Sequence, residues 1–472
     1  MKTIHKIFSK ITLLIFLVAF IFLGCEREIS GEAVVASFSS TADVFIDSPV
    51  GMGSDFYFPY AGSKLTAWSV DENEAYQGTA SMRFDVPNED DSNGNYAGAI
   101  FRIEGAGRDL SQYDALTFWV KASQGVTIGE FGFGEDFLEN KFRATIQNTS
   151  VGTSWQKVII PLPDASRLTE ERGMFRYAAG TQATNGFGYT FWIDELKFEK
   201  LGTIAQPRPS ISNGEDVTVN TFIGVKINID NLNQTFNLGN GQDITITTAP
   251  SYFTFTSTDP SVASVNSSGV IEINAAGTAV VTASLNGVEA KGSLIINSLG
   301  SFSFPPTPTR NSDDVISIFS NHYTNTNVDF YNGYWQPYQT TESADFSVNG
   351  DDFLNYTNFN FVGIQFASPT INLTSLANLH FNMYIPNEVP SNFDFLVTVV
   401  DFGPDGVNGG TDDTRQQLFV RKTPSIVADS WMTFEFSLNG LTNRNNVGLL
   451  IFENINFSSL TNLYLDNIYF YN

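Results

Sequence analysis

The chain has 472 residues, enough for two to four domains rather than a single core. Fifty acidic against 25 basic side chains leave a net charge of −25, a field that repels phosphate backbones and argues against a nucleic-acid partner. One cysteine excludes an internal disulfide framework, and only three histidines, His5, His322 and His380, are present for imidazole chemistry.

The first segment is basic and then apolar. Lys2, Lys6 and Lys10 precede the run "ITLLIFLVAFIFLG", which ends at Cys25. The run is short for a membrane span and predicts an export signal over residues 1–24. "FLGC", Phe22 to Cys25, resembles the lipobox of bacterial lipoproteins, with Phe where Leu is commoner. That resemblance implies acylation of Cys25 and a lipid-anchored protein of the outer membrane, facing outward. Several acyl chains hold a protein far more firmly than one. The alternative is an ordinary secreted protein with one stray thiol. Small and polar residues over 25–42 predict a flexible tether.

From Asp43 onward the text is short alternating or apolar runs punctuated by Gly, Asn, Asp and Pro, such as "ALTFWVKA" and "WQKVIIPL". No long helical period appears, so the chain is expected to be all-β. Stretches rich in Pro, Ser and Gly at Gly202–Asp216 and Gly300–Arg310 read as semi-rigid linkers. Three units result, at 43–201, 202–299 and 300–472.

The outer two share a pattern. "DLSQYDALTFWV" (Asp109–Val120) matches "NLTSLANLHFNM" (Asn372–Met383), and "SWQKVIIPL" (Ser154–Leu162) matches "SWMTFEFSL" (Ser430–Leu438). Each unit closes on "FWIDELKF" (Phe191–Phe198) or "LYLDNIYF" (Leu463–Phe470). Three matches in one order argue for duplication. The order resembles the jelly-roll β-sandwiches of carbohydrate-binding modules, whose early strand is similar to "NEAYQGTASMRFDV" (Asn73–Val86). The third unit has no clear copy of that early strand. The middle unit's "STDPSVASVNSSGVIEINAAGTAVVTASLNG" (Ser257–Gly287) resembles the group 2 bacterial immunoglobulin-like domain, with its marks at Asp259, Gly269 and Gly277. The implied architecture is two jelly rolls flanking an Ig-like sandwich, behind a lipoprotein signal peptide.

Trp119, Trp155, Trp192 and Trp431 fall in the matched strands and are expected to pack in or near the sandwich cores. Trp68 and Trp335 fall outside them. In "DFYNGYWQPYQ" (Asp329–Gln339), Asn332-Gly333 predicts a tight solvated turn. Yet Tyr331, Tyr334, Trp335 and Tyr338 surround it. Trp68 similarly follows a loop containing Tyr57 and Tyr60. Pyranose C–H faces pack on aromatic rings, while Tyr hydroxyls and indole N–H groups bond sugar hydroxyls. Both clusters are therefore candidate sugar platforms; the alternative is that each plugs one end of its sandwich.

The jelly-roll resemblance also implies a structural calcium between the first strand and the aspartate of the last. Asp47, Asp194 and Asp466 are the positions for it, and hard cations favour such oxygen ligands. Solvated aspartates are the alternative. "DSNGN" (Asp91–Asn95) and "DFGPDGVNGGTDD" (Asp401–Asp413) are oxygen-rich but lack the spacing of an EF-hand.

No G-x-S-x-G, H-E-x-x-H or E-x-D-x-x-E pattern is present, and His380 aligns with Thr117 in a framework strand. The chain as a whole resembles the surface glycan-binding lipoproteins of polysaccharide-utilisation systems. That resemblance implies non-catalytic capture of a neutral polysaccharide beside an outer-membrane transporter, with a β-glucan such as laminarin as the specific expectation. A secreted glycanase or lyase, and an adhesin or structural surface protein, are the alternative readings.

Overall fold

The computed structural model describes residues 37–472, apart from 345, 387, 421–425, 457 and 461. The signal segment, Cys25 and the start of the tether lie outside the described residues. The tether's last residues are tied down: the Asp109 N–H donates to the Ser39 carbonyl at 2.9 Å, and the Tyr113 hydroxyl donates to the Ser40 carbonyl.

The described chain is all-β, with helix only as single 3₁₀ turns. In the first unit one sheet runs Trp68–Asp71, Ser81–Val86, Tyr189–Glu199, Ala115–Ala122, Gln156–Pro161, and Asp43–Phe45 also pairs with Tyr189–Glu199. The facing sheet runs Tyr57–Pro59, Ala97–Arg102, Gly173–Ala179, Val126–Phe133, Ala144–Val151. Alternate residues of the two meet as a ring-rich core, with Phe84 edge-on to Tyr177 at 4.5 Å and Phe118 edge-on to Phe131 at 5.1 Å.

The third unit repeats this plan. Its first sheet is Glu342–Ala344, Leu354–Thr357, Asn462–Tyr471, Asn378–Tyr384, Met432–Ser437, with Val315–Phe319 also on Asn462–Tyr471. The facing sheet is Phe361–Gln365, Val447–Asn454, Phe395–Asp401, Thr414–Val420. The strand order is that of the first unit, without a counterpart of the edge strand Tyr57–Pro59 among the described residues. Leu354–Thr357 occupies the place of the early strand that the third unit's sequence does not display.

The middle unit departs from a picture of beads on linkers. Ala205–Ser210, within the expected first linker, is a strand. Its prolines are tolerated because it is an edge strand, where missing N–H donors break no ladder. Together with Asn233–Asn237 and Asp243–Thr248 it extends the first unit's second sheet, through Thr247 opposite Thr145 and Thr248 opposite Ala144. The expected second linker is also anchored. Phe302 is buried, with Phe222, Phe346, Phe353, Tyr384, Trp431 and Tyr464 at centroid distances of 5.0 to 6.2 Å. One apolar core thereby runs from the first unit through the middle one to the edge of the third.

The four framework tryptophans pack near the sandwich cores without pointing into their interiors, and Trp192 is buried on the outer side of its strand, where its indole N–H donates to Asp71 at 3.0 Å. Alternation along Ala115–Ala122 points Phe118 and Val120 inward and Trp119 and Lys121 outward. Trp119 stacks under Tyr76 at 3.9 Å, and the Lys121 ammonium sits 5.2 and 5.7 Å from the rings of Trp192 and Trp155. Trp431 lies at the Phe302 cluster, where its indole N–H donates to the Ser303 carbonyl.

Candidate functional site

Each outer sandwich turns one side of its second sheet outward, and the strand registers make the two sides comparable. Across the first unit, Gly98 lies opposite Ala178, Ala178 opposite Glu130, and Glu130 opposite Gln147. Across the third, the same row reads Gly363, Ile451, Thr398, Gln417. In both, the glycine is the bed for an aromatic ring. A Cβ on Gly98 would lie 2.9 Å from Tyr60 Cδ2, and one on Gly363 would run into the six-membered ring of Trp335. Only a residue without a side chain lets a ring lie that close to the strand. Tyr60 and Trp335 are therefore counterparts.

On the third unit, the half-buried Trp335 packs against Val400, Phe402 and Leu449, beside Ala367 and Ile451. Phe361 stands 6.0 Å away and Phe419 is exposed at the far strand. The loop carrying Trp335 is not the predicted solvated turn. Asn332 is buried, Gly333 is not left-handed, and the positive φ falls instead on Tyr334, at 45°. The reason is internal hydrogen bonding. Asn332 Nδ2 donates to Ser343 Oγ at 3.0 Å, its Oδ1 accepts from the Tyr334 N–H at 3.0 Å, and Gln339 Oε1 accepts from the Trp335 N–H at 3.0 Å. The four aromatics divide. Trp335, Tyr334 and Tyr338 remain accessible, whereas Tyr331 packs edge-on to Phe319 and donates its hydroxyl to the Ile318 carbonyl.

On the first unit, Tyr60 is part of an ion network. Its hydroxyl donates to Glu135 at 3.0 Å and accepts from Arg176 Nε at 3.0 Å. Arg176, only 6% exposed, pairs with both Glu130 and Glu135. Burial raises the Tyr60 pKa, so the hydroxyl keeps its proton. Phe137 meets Tyr60 edge-on at 5.7 Å, and the Arg102 guanidinium lies 4.1 Å above the Phe58 ring. Trp68 and Tyr57 are not brought to this group. They pack on each other at 5.3 Å and on Phe101 at the edge of the core, Trp68 also against Phe56. Arg176, Glu130 and Glu135 are absent from the sequence-based candidates. Their signal was an Arg inside the apolar strand "GMFRYAA" and a Glu inside "VTIGEFGF".

The calcium positions are mixed. Asp194 accepts the N–H groups of Tyr76, Gln77 and Glu195 at 2.7 to 3.0 Å, and Asp47 accepts those of Thr79 and Ala80. These two carboxylates clamp one loop through its backbone, which leaves Asp194 a poor fit for a cation. Asp466 accepts only the Asn467 N–H, and burial with Asp351 nearby pushes its pKa up to about 7. It lines a cleft with Asp351, Asn321, His322 and the 304–308 segment. Among the described residues no three His, Cys, Asp or Glu side chains form a metal-holding group. His380 stacks on Tyr469 at 4.4 Å and sits 3.4 Å from Glu435, away from both faces.

The class defined by fold and faces is a duplicated all-β sandwich protein with a ring-bearing outer sheet on each copy. Residues 43–200 match the family model of carbohydrate binding domain 30, which supports carbohydrate binding by the first unit. No curated protein matches the chain. Among solved structures, a family 30 carbohydrate-binding module is 21% identical, covering 34% of this chain and 97% of that one, with a TM-score of 0.26. The family 30 module of the cellulosomal cellulase Cel9D-Cel44B of Clostridium thermocellum is 18% identical, covering 35% and 95%, with a TM-score of 0.23. The tandem CBM22-1-CBM22-2 domain of Paenibacillus barcinonensis Xyn10C is 10% identical, covering 92% and 99%, with a TM-score of 0.22.

Proposed function

We propose that this chain is a non-catalytic, surface-anchored polysaccharide-capture protein with one binding face on each outer sandwich. The observation that carries the reading is the ring laid on a glycine, Tyr60 on Gly98 and Trp335 on Gly363, at one position of both copies. A flat ring on an open sheet suits the C–H face of a pyranose. The ligand is a neutral polysaccharide, a β-glucan such as laminarin in its specific form, held for an outer-membrane uptake complex. The charge of −25 disfavours polyanions, and Arg176 is already neutralised by two glutamates. Two faces on one chain gain apparent affinity for a long polymer.

Affinity electrophoresis in gels containing laminarin and other neutral polysaccharides tests this. Tyr60→Ala and Trp335→Ala should each weaken retardation roughly tenfold or more, since aromatic anchors dominate such interfaces. The double variant should migrate freely. Undiminished retardation of a folded double variant overturns the reading.

Anchoring rests on the lipobox resemblance at Cys25. Cys25→Ser is expected to move the protein out of the membrane fraction or leave its signal segment uncleaved; unchanged fractionation and processing would count against acylation. Calcium, in this reading, belongs to the Asp466–Asp351 cleft and not to Asp47 and Asp194. A chelator should then lower the melting temperature of the wild type, because an ion bound only to the folded state stabilises it. Asp466→Asn should remove that response. Identical chelator effects in both proteins would sink the assignment.

A further inference from the structure

We infer that the two faces read their ligand by different chemistry, the first through sugar hydroxyls over a fixed ion network and the third chiefly through ring stacking over an apolar floor. This rests on the glycan reading above and adds what each face tolerates. The registers place the difference residue by residue. In the row beside the glycine row, the first unit has Ile100, Arg176, Gly132 and Thr145, and the third has Gln365, Leu449, Val400 and Arg415. Arg176 is thus replaced by Leu449, and in the glycine row Glu130 is replaced by Thr398.

The floor of the first face is a fixed ion network. Arg176 is held by Glu130, Glu135 and Tyr60, and these oxygens keep lone pairs directed by groups that are already ordered. A hydrogen bond to a charged group is stronger than one between neutral groups, and removing its partner leaves the charge desolvated and unpaired. Such a floor distinguishes a free hydroxyl from a blocked one. The floor of the third face is Leu449 and Val400, both buried beneath Trp335, with Phe361 and Ile451 alongside. Its polar groups lie to either side of that floor: exposed Gln417 and Arg415 at the outer strand, and half-buried Glu453 opposite Phe361, which accepts the Thr398 hydroxyl at 3.3 Å. Stacking on an indole depends on the C–H face of the sugar and is indifferent to a methyl group on a rim hydroxyl.

The experiment uses the full chain with one face closed at a time. Trp335→Ala leaves the first face, and Tyr60→Ala leaves the third. Because Trp335→Ala also removes packing, Ile451→Arg provides a second way to block the third face. Binding is measured by affinity gels and calorimetry against laminarin, mixed-linkage β-glucan, xylan and galactomannan, each native and partially O-methylated. With only the first face open, methylation should reduce affinity about tenfold or more, equivalent to about 1.4 kcal/mol. With only the third face open, native and methylated forms should bind within about threefold, a difference below 1 kcal/mol. Equal losses through both faces, or a larger loss through the third, overturn the inference while leaving glycan capture intact. A wild-type chain that captures none of the native polysaccharides overturns the glycan reading itself, and this inference with it.

Discussion

Replacing Phe302 by alanine is expected to cost about 3–5 kcal/mol, the range for deleting a buried aromatic from a well-packed site. Phe302 is 6% exposed and is the shared neighbour of rings from two units, Phe222 in the middle one and Phe346, Phe353, Tyr384, Trp431 and Tyr464 in the third. Its removal would therefore leave a cavity at a junction and not in one sandwich. The third unit should melt as a separate transition, and proteases should gain access to the chain between 303 and 310. Loss of a fixed junction should also lower capture of long polymer more than binding of a short oligosaccharide, because only the polymer engages both faces at once. If Phe302→Ala melts and resists proteolysis like wild type, the ring cluster does not hold the units together.

The strand plan was legible because its signals are local. Alternating runs such as "ALTFWVKA" and the closing "FWIDELKF" state which residues face inward, and their recurrence in one order exposes the duplication. The outward direction of Trp119 follows from the same alternation, yet a tryptophan flanked by Phe118 and Val120 reads as core when only hydrophobicity is counted. What holds the units together was not legible. Prolines at 207 and 209 mark both linkers and edge strands, and only pairing with Asn233–Asn237 separates the two.

The site shows a similar boundary. Trp335 stands out in sequence because it sits in a polar loop, but its counterpart Tyr60 resembles Tyr57 there, and only strand register distinguishes them. Tyr57 opposes Phe101, a core residue, whereas Tyr60 lies over Gly98 on the outer side. Asp47 and Asp194 show the converse. In sequence both read as acidic positions of a first and a closing strand, and a carboxylate that receives backbone N–H groups and one that receives a cation look alike there until the donors are located.

Glu171 makes the chain lose stability as pH rises from about 5 to 8, by up to roughly 3 kcal/mol at 1.36 kcal/mol per pKa unit. The side chain is 8% exposed, and burial pushes its pKa from 4.5 up to about 7, with the Asp136 charge adding to the rise. The Arg172 and Gly173 N–H groups, at 3.0 and 2.8 Å, oppose the shift without cancelling it. Between those two values the folded chain binds a proton that the unfolded chain has released. The contribution of Glu171 is therefore fully present below about pH 4.5, declines through the window and is gone above about pH 8. Carboxylates shifted the other way act outside this window. Asp71, drawn down to about 2 by the Trp192 indole and the Asn73 N–H, contributes stability that is lost only as pH falls through the low range. Glu171→Gln keeps an oxygen for the two N–H groups and removes this titration, so its melting temperature should fall less steeply from pH 5 to 8 than that of the wild type, the remaining slope coming from Asp466, whose carboxyl burial also raises to about 7. The neighbouring exposed Glu170→Gln removes the same formal charge from the chain and should retain the wild-type slope. If both variants keep that slope, the pH response comes from the general repulsion of an acidic chain rather than from the proton buried at Glu171.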